Sequence, residues 1–182
     1  MSNIDGFAAS LFEEAKRFLE LAKTAAANHD EAGQAGYSHA AIMLAFGALE
    51  AHVNAVADEM ALQKGLSVHD KAVLLEKDVK LDDGRYKLST ALKMYRLEDR
   101  ILFLHARFSS KPVDKSSWLP SLRTATGYRN ALTHPKSATA VTIKDVDDTI
   151  YAIIEALDAL YLAIYKKSFP VKSLGLHSKL SF

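Results

Sequence analysis

Apolar residues at Phe7, Leu11, Ala15, Phe18, Ala22 and Ala25 recur every three or four positions, while Glu13, Glu14, Lys16, Arg17, Glu20 and Lys23 occupy the other faces. That period predicts an amphipathic helix over 5–28. Residues 30–36, with Gly33 and Gly36, read as a turn. A second helix is expected over 37–64. From Ala40 to Ala57 it is apolar on nearly every side, and Glu50 is its one Asp, Glu, Lys or Arg. A helix apolar all round is buried all round, so this one is central. Glu50, His52 and Asn54 stand out on it, either as a polar seam satisfied by neighbouring helices, as its narrow exposed edge, or as support for a site.

Gly65 can end that helix and Ser67 can start a short one through Lys77. The run Val79–Leu88 alternates about Asp83-Gly84, which is a hairpin signal. Two strands alone are marginal, so the hairpin (78–88) is expected as an insertion leaning on helices. Ser89 or Thr90 can cap a helix over 90–108, with Leu92, Leu97, Ile101, Leu104 and Phe108 inward. After a polar loop over 109–117, a helix with Pro120 in its first turn leads to Pro135. Thr142 and Asp145 have capping-box spacing. They precede a stripe of Val146, Ile150, Ile153, Leu157, Leu160 and Ile164 over 143–166. The expected fold is all-α: an antiparallel up-and-down helical bundle over 1–166 with a β-hairpin insertion. A loosely attached tail over 167–182 completes the chain.

Tyr128-Arg129-Asn130-Ala131-Leu132-Thr133-His134-Pro135 concentrates the candidate chemistry. Arg129 and His134 are five residues apart, about 140° around an unbroken helix. A residue before proline is pushed out of the α region, so the helix should stop at His134 and let its end unwind. A planar guanidinium that grips phosphate and an imidazole that titrates near neutrality could then share one surface. Arg100 and His105 have the same spacing. There, however, an apolar run separates the two, and His105 lies inside a continuing helix, so it reads as a packing or surface histidine.

The 182 residues fit one domain, and a 49 % hydrophobic fraction is ample for a core. The absence of cysteine excludes disulfides, thiolate zinc sites and cysteine nucleophiles. No secretory signal and no run of eighteen uncharged apolar residues is visible, which predicts a soluble cytoplasmic protein with no membrane partner. Net charge is +1 but uneven. Residues 1–84 hold seven basic against fourteen acidic side chains, and 85–136 hold eleven against three. Either an anionic partner meets the basic third, or acidic and basic helices complement each other. The remaining histidines are scattered without metal-ligand spacing. There is no P-loop, dinucleotide turn or Gly-x-Ser-x-Gly elbow. No metal or other cofactor is expected.

Arg129-Asn130-Ala131-Leu132-Thr133-His134 resembles the signature of the HEPN family, an arginine, then a polar residue, then a histidine four to six positions after the arginine. The order of elements over residues 5–166 is also similar, and Leu49–Asn54 looks like that family's second helix. The resemblance implies a helical bundle acting as a metal-independent endoribonuclease, with Arg129, Asn130 and His134 catalytic. RNA is the implied partner, Lys136 and Arg123 the candidate RNA-binding residues, and Glu50 and Asn54 candidate supports. It further implies a homodimer with a composite site, a toxin or defence setting, and an antitoxin or regulatory partner. Many such toxins carry a tyrosine two positions after the histidine as an adenylylation site. Lys136 stands there instead, so that form of control is not supported. The alternative is a catalytically inactive HEPN-like module for dimerisation or nucleotide or RNA binding. In that case Arg129 and His134 form an ordinary cluster at a helix C-terminus, where the dipole favours cations.

Overall fold

The computed structural model of the chain describes residues 3–109, 112 and 117–176. Its elements are α1 (Asn3–Ala27), α2 (Glu31–Met60), α3 (Val68–Leu75), β1 (Lys77–Asp82), β2 (Arg85–Leu92), α4 (Leu97–Phe108), α5 (Leu119–Thr133), α6 (Ile143–Tyr165) and α7 (Pro170–Leu174). The protein is a helical bundle with one two-stranded antiparallel ribbon.

α2 is the axis. Ile42, Leu49, Val53, Val56 and Ala57 are buried on several of its sides, packed among α1, α5 and α6. By length and composition α2 alone among the described helices could cross a bilayer, yet most of that apolar stretch is buried against protein. At Gly47 an added Cβ would stand 3.6 Å from the Leu11 side chain of α1, an ordinary contact distance, so alanine would also fit there.

Three boundaries differ from the sequence reading. The turn expected over 30–36 shrinks to 28–30, and both glycines lie inside α2. Asp30 explains this: its carboxylate accepts from Gly33 N at 2.8 Å, capping a helix that starts at Glu31. Two helical glycines cost roughly 1 kcal/mol each relative to alanine, which the packing of α2 on α1 outweighs. Next, residues 89–92 extend β2 instead of opening α4, because Lys77 pairs with Leu92 past an irregularity between Lys77 and Val79. Leu92, expected inside, is therefore exposed, and α4 starts after Arg96 without a side-chain cap. Asp83 and Gly84 both have positive φ (49° and 73°), the conformation a two-residue hairpin turn requires. The ribbon leans on α3, where Tyr86 meets His69 with ring centroids 5.3 Å apart.

The third difference is the tail. Phe169 is 2 % exposed and packs against Phe12, His52 and Tyr161. Asp158, buried in α6, accepts from Phe169 N (2.9 Å), Ser168 Oγ (2.5 Å) and Lys172 Nζ (2.8 Å). Lys16 reaches Leu176 O at 2.8 Å. The segment 168–176 is thus held to the bundle by one buried ring and one buried carboxylate. Lys172, beside Asp158 and Glu155, is pushed up to about 12. The polar loop expected over 109–117 and the end of the tail, 177–182, fall largely or wholly outside the described residues.

α6 starts where the capping box places it. Asp145 N donates to Thr142 Oγ1 (3.2 Å), and Thr142 N donates back to Asp145 Oδ2 (2.9 Å). Thr142→Ala is expected to cost about 1 kcal/mol, read as a lower urea midpoint with unchanged slope.

His105 is buried in α4, and burial holds its imidazole below the ordinary histidine range, with the nearby Lys166 charge acting in the same direction. The unfolded chain then binds a proton that the folded chain refuses. Stability should fall as pH drops through about 6.5 toward the folded pKa. Urea midpoints at pH 7.5 and 5.5 should differ less in His105→Leu than in the wild type; an equal difference contradicts this assignment.

Candidate functional site

The end of α5 is built by competition between helix continuation and Pro135. His134 N still donates to Asn130 O at 2.9 Å, closing the last helical bond. Its own backbone has left the helix, with φ −131° and ψ 62°. The break before proline therefore falls where the sequence places it. Thr133 Oγ1 covers the exposed carbonyls behind it, donating to Arg129 O (3.0 Å) and Asn130 O (3.3 Å). The helix end presents Asn130, His134, Pro135 and Lys136 to solvent, with Arg129 half-buried beside them.

A second tie fixes this end against α6. The Tyr128 hydroxyl donates to Asp145 Oδ1 at 2.6 Å. Asp145 also receives the Thr142 hydroxyl at 2.6 Å, so one carboxylate caps α6 and anchors α5. Thr142 and then Tyr128 hold Asp145 below the usual carboxylate range, and the same bond raises the Tyr128 phenol. Sequence reasoning found the Thr142/Asp145 box and quoted Tyr128 but did not join them. Their separation, seventeen residues across a loop, leaves no local pattern to read.

Arg129 Nη1 donates to Asn130 Oδ1 at 3.1 Å. No hydrogen bond joins the Arg129 guanidinium to the His134 imidazole. Within one chain the two side chains share a helix end but no direct contact of this kind. The amide of Asn130 orients the guanidinium instead.

The other candidates separate. Arg123 is bonded through Nε (3.1 Å) and Nη2 (2.6 Å) to Glu98 Oε1, and this pairing raises its pKa further. Its charge has an acid partner within the protein, in an exposed pair of the kind that competes weakly with an incoming anion. Glu50 and Asn54 serve Arg100 of α4. Asn54 Oδ1 accepts from Arg100 Nη1 at 2.7 Å, and Glu50 acts on the same guanidinium through its charge. Arg100 is 3 % exposed, pairs with Glu76 Oε2 at 3.1 Å and donates to Leu74 O at 3.0 Å. Arg100 is thus an interior tie joining α2, the end of α3 and α4. Glu76 meets it from a left-handed backbone position (φ 50°).

Charge complementarity accounts for much of the basic excess. Lys87, Lys93, Arg100, Arg107 and Arg123 each pair with a carboxylate. Arg129 and Lys136 form no such pair among the described residues, and both stand at the end of α5. Among those residues no group of three or more His, Asp or Glu side chains is arranged to hold a metal ion. Chemically, the α5 end offers a fixed cation with a planar fork, an amide and a proton-transfer group, all open to an incoming phosphodiester. No protein-family model matches the chain, and neither a curated protein nor a solved structure is similar enough to match it.

Proposed function

We propose that this protein is an HEPN-type, metal-independent endoribonuclease acting in the cytoplasm through Arg129, Asn130 and His134. The observation that carries the reading is the break of α5 at His134, which exposes an imidazole and an amide beside a guanidinium that pairs with no carboxylate among the described residues.

The chemistry follows from RNA itself. The 2′-oxygen attacks the adjacent phosphorus as its proton passes to a base, and the bond from phosphorus to the 5′-oxygen breaks as an acid protonates the departing oxygen. Arg129 steadies the doubly charged phosphorane with two parallel N–H donors. Asn130 orients that fork, and Lys136 draws the backbone in. His134 serves as base or acid. One imidazole cannot give and take a proton in the same step, so the partner imidazole comes from a second copy related by a two-fold axis. The products are a 2′,3′-cyclic phosphate and a 5′-hydroxyl.

The test is incubation of wild-type protein with RNA in chelator at near-neutral pH, followed by end-group analysis. Chelator-resistant cutting that leaves 2′,3′-cyclic phosphates is expected. Cutting that needs a divalent ion, or that leaves 5′-phosphates, removes the assignment.

A further inference from the structure

Along α5 from Ser121 to Tyr128 lies a half-open cavity of about 330 Å³ between α5 and α6. Ser121, Thr124 and Tyr128 line it from α5, and Asp148, Thr149 and Tyr151 from α6. Its size is at the lower end of small-ligand pockets, suited to one ring system. Two phenol rings offer flat apolar surface. Tyr151 is 64 % exposed, and Tyr128 is fixed by its bond to Asp145.

Thr149 marks the cavity as a site. Helical threonines usually return their hydroxyl to the carbonyl one turn back, and Thr24, Thr124, Thr126 and Thr133 all do so, at 2.8–3.2 Å. Thr149 does not. It is 1 % exposed, and its hydroxyl has no hydrogen-bond partner in the protein. A buried hydroxyl without a partner is costly, and a polar group that parted the wall enough to reach this enclosed oxygen would relieve that cost. The charged wall, Asp148, points to what that group is. A carboxylate only accepts hydrogen bonds, so it repels phosphate and favours a ligand with clustered N–H donors. Its exposed pair with Lys144 engages Oδ2, and exposed pairs of this kind are weak competitors.

We propose that this cavity, which begins at Tyr128 beside Arg129 and runs back along α5 to Ser121, is a subsite for a guanine base of the RNA strand; the proposal rests on the nuclease reading. Guanine presents two adjacent donors on its pairing edge, N1–H and the N2 amine, which a carboxylate accepts together. Adenine and cytosine place an acceptor beside their single amine, and uracil flanks its N–H with two carbonyls. Single-stranded RNA is commonly read in this way, by stacking on aromatic rings and hydrogen bonding along the base edge. The subsite would set where the strand is cut.

The experiment uses equilibrium dialysis of guanosine, adenosine, cytidine and uridine monophosphates against the full chain carrying His134→Ala. The same measurement is made on that chain with Asp148→Asn or Tyr151→Ala added, both surface positions whose folding is checked by circular dichroism. Saturable binding of guanosine monophosphate is expected, about tenfold or more tighter than the others and weakened by both substitutions. In the wild type, cuts should map next to guanine, and Asp148→Asn should blur that map. Equal binding of all four nucleotides, no binding, or indifference to Asp148→Asn overturns the proposal. Selective guanosine binding with cuts placed regardless of guanine also overturns it, leaving a free guanine nucleotide as the occupant. If guanosine binds selectively but the wild type cuts no RNA, the nuclease reading fails and the base site stands.

Discussion

His134→Ala is expected to lower the rate of RNA cleavage by about a hundred- to ten-thousand-fold, the range for losing a positioned general acid or base. Its melting curve should match the wild type, because the His134 side chain is exposed and its backbone bond to Asn130 survives the substitution. Arg129→Lys should also lose most activity, since an ammonium keeps the charge but cannot form the two parallel bonds of a guanidinium. The pair of results separates catalysis from a helix-end cluster. Cations serving only the helix dipole would make Arg129→Lys neutral, and His134→Ala would leave cutting untouched. Unchanged cleavage in His134→Ala overturns the catalytic assignment.

The second large effect is on stability. Arg100→Ala is expected to destabilise the fold by about 3–5 kcal/mol, because removing one partner of a buried ion pair strands the other. Here it leaves Glu76, Asn54 Oδ1 and Leu74 O without the guanidinium that joins three elements. Arg100→Met combined with Glu76→Gln should recover a substantial part of that loss, since the stranded charge goes while packing volume is largely kept. Urea midpoints measure both. A loss below about 1 kcal/mol in Arg100→Ala would mean the tie behaves like an exposed pair.

How far the sequence could be read depended on how local each determinant is. The capping box at Thr142 and the hairpin turn at Asp83-Gly84 are written in neighbouring residues, and each occurs where the pattern puts it. The start of α2 was misplaced because two glycines looked like a break, whereas the deciding group is the Asp30 carboxylate three residues before Gly33. The end of β2 depended on pairing with Lys77, fifteen residues earlier, which no period along 89–92 reveals. Phe169 sits in a stretch with no period at all, and its burial depends on three rings from α1, α2 and α6.

The site divides in the same way. The unwinding at His134 follows from Pro135 alone and was legible. Glu50 and Asn54 could be recognised as unusual on an apolar helix, but the sequence did not identify their partner as Arg100. Nothing along the chain marks the pairing of Arg123 with Glu98 of α4, twenty-five residues earlier. The bond from Tyr128 to Asp145, which fixes the end of α5 against the start of α6, needed the tertiary structure.

The proposed nuclease requires two α5 ends to meet across a two-fold axis, since one imidazole cannot perform both proton transfers. The chain contains no cysteine, so Lys136→Cys offers a single labelling position two residues past His134. Dipolar spectroscopy on the spin-labelled protein measures this directly. The predicted result is one short, well-defined distance between two labels in a particle of twice the 20.0 kDa chain mass. A particle of single-chain mass with no dipolar coupling, or a dimer whose labels lie at opposite ends, would contradict the shared site.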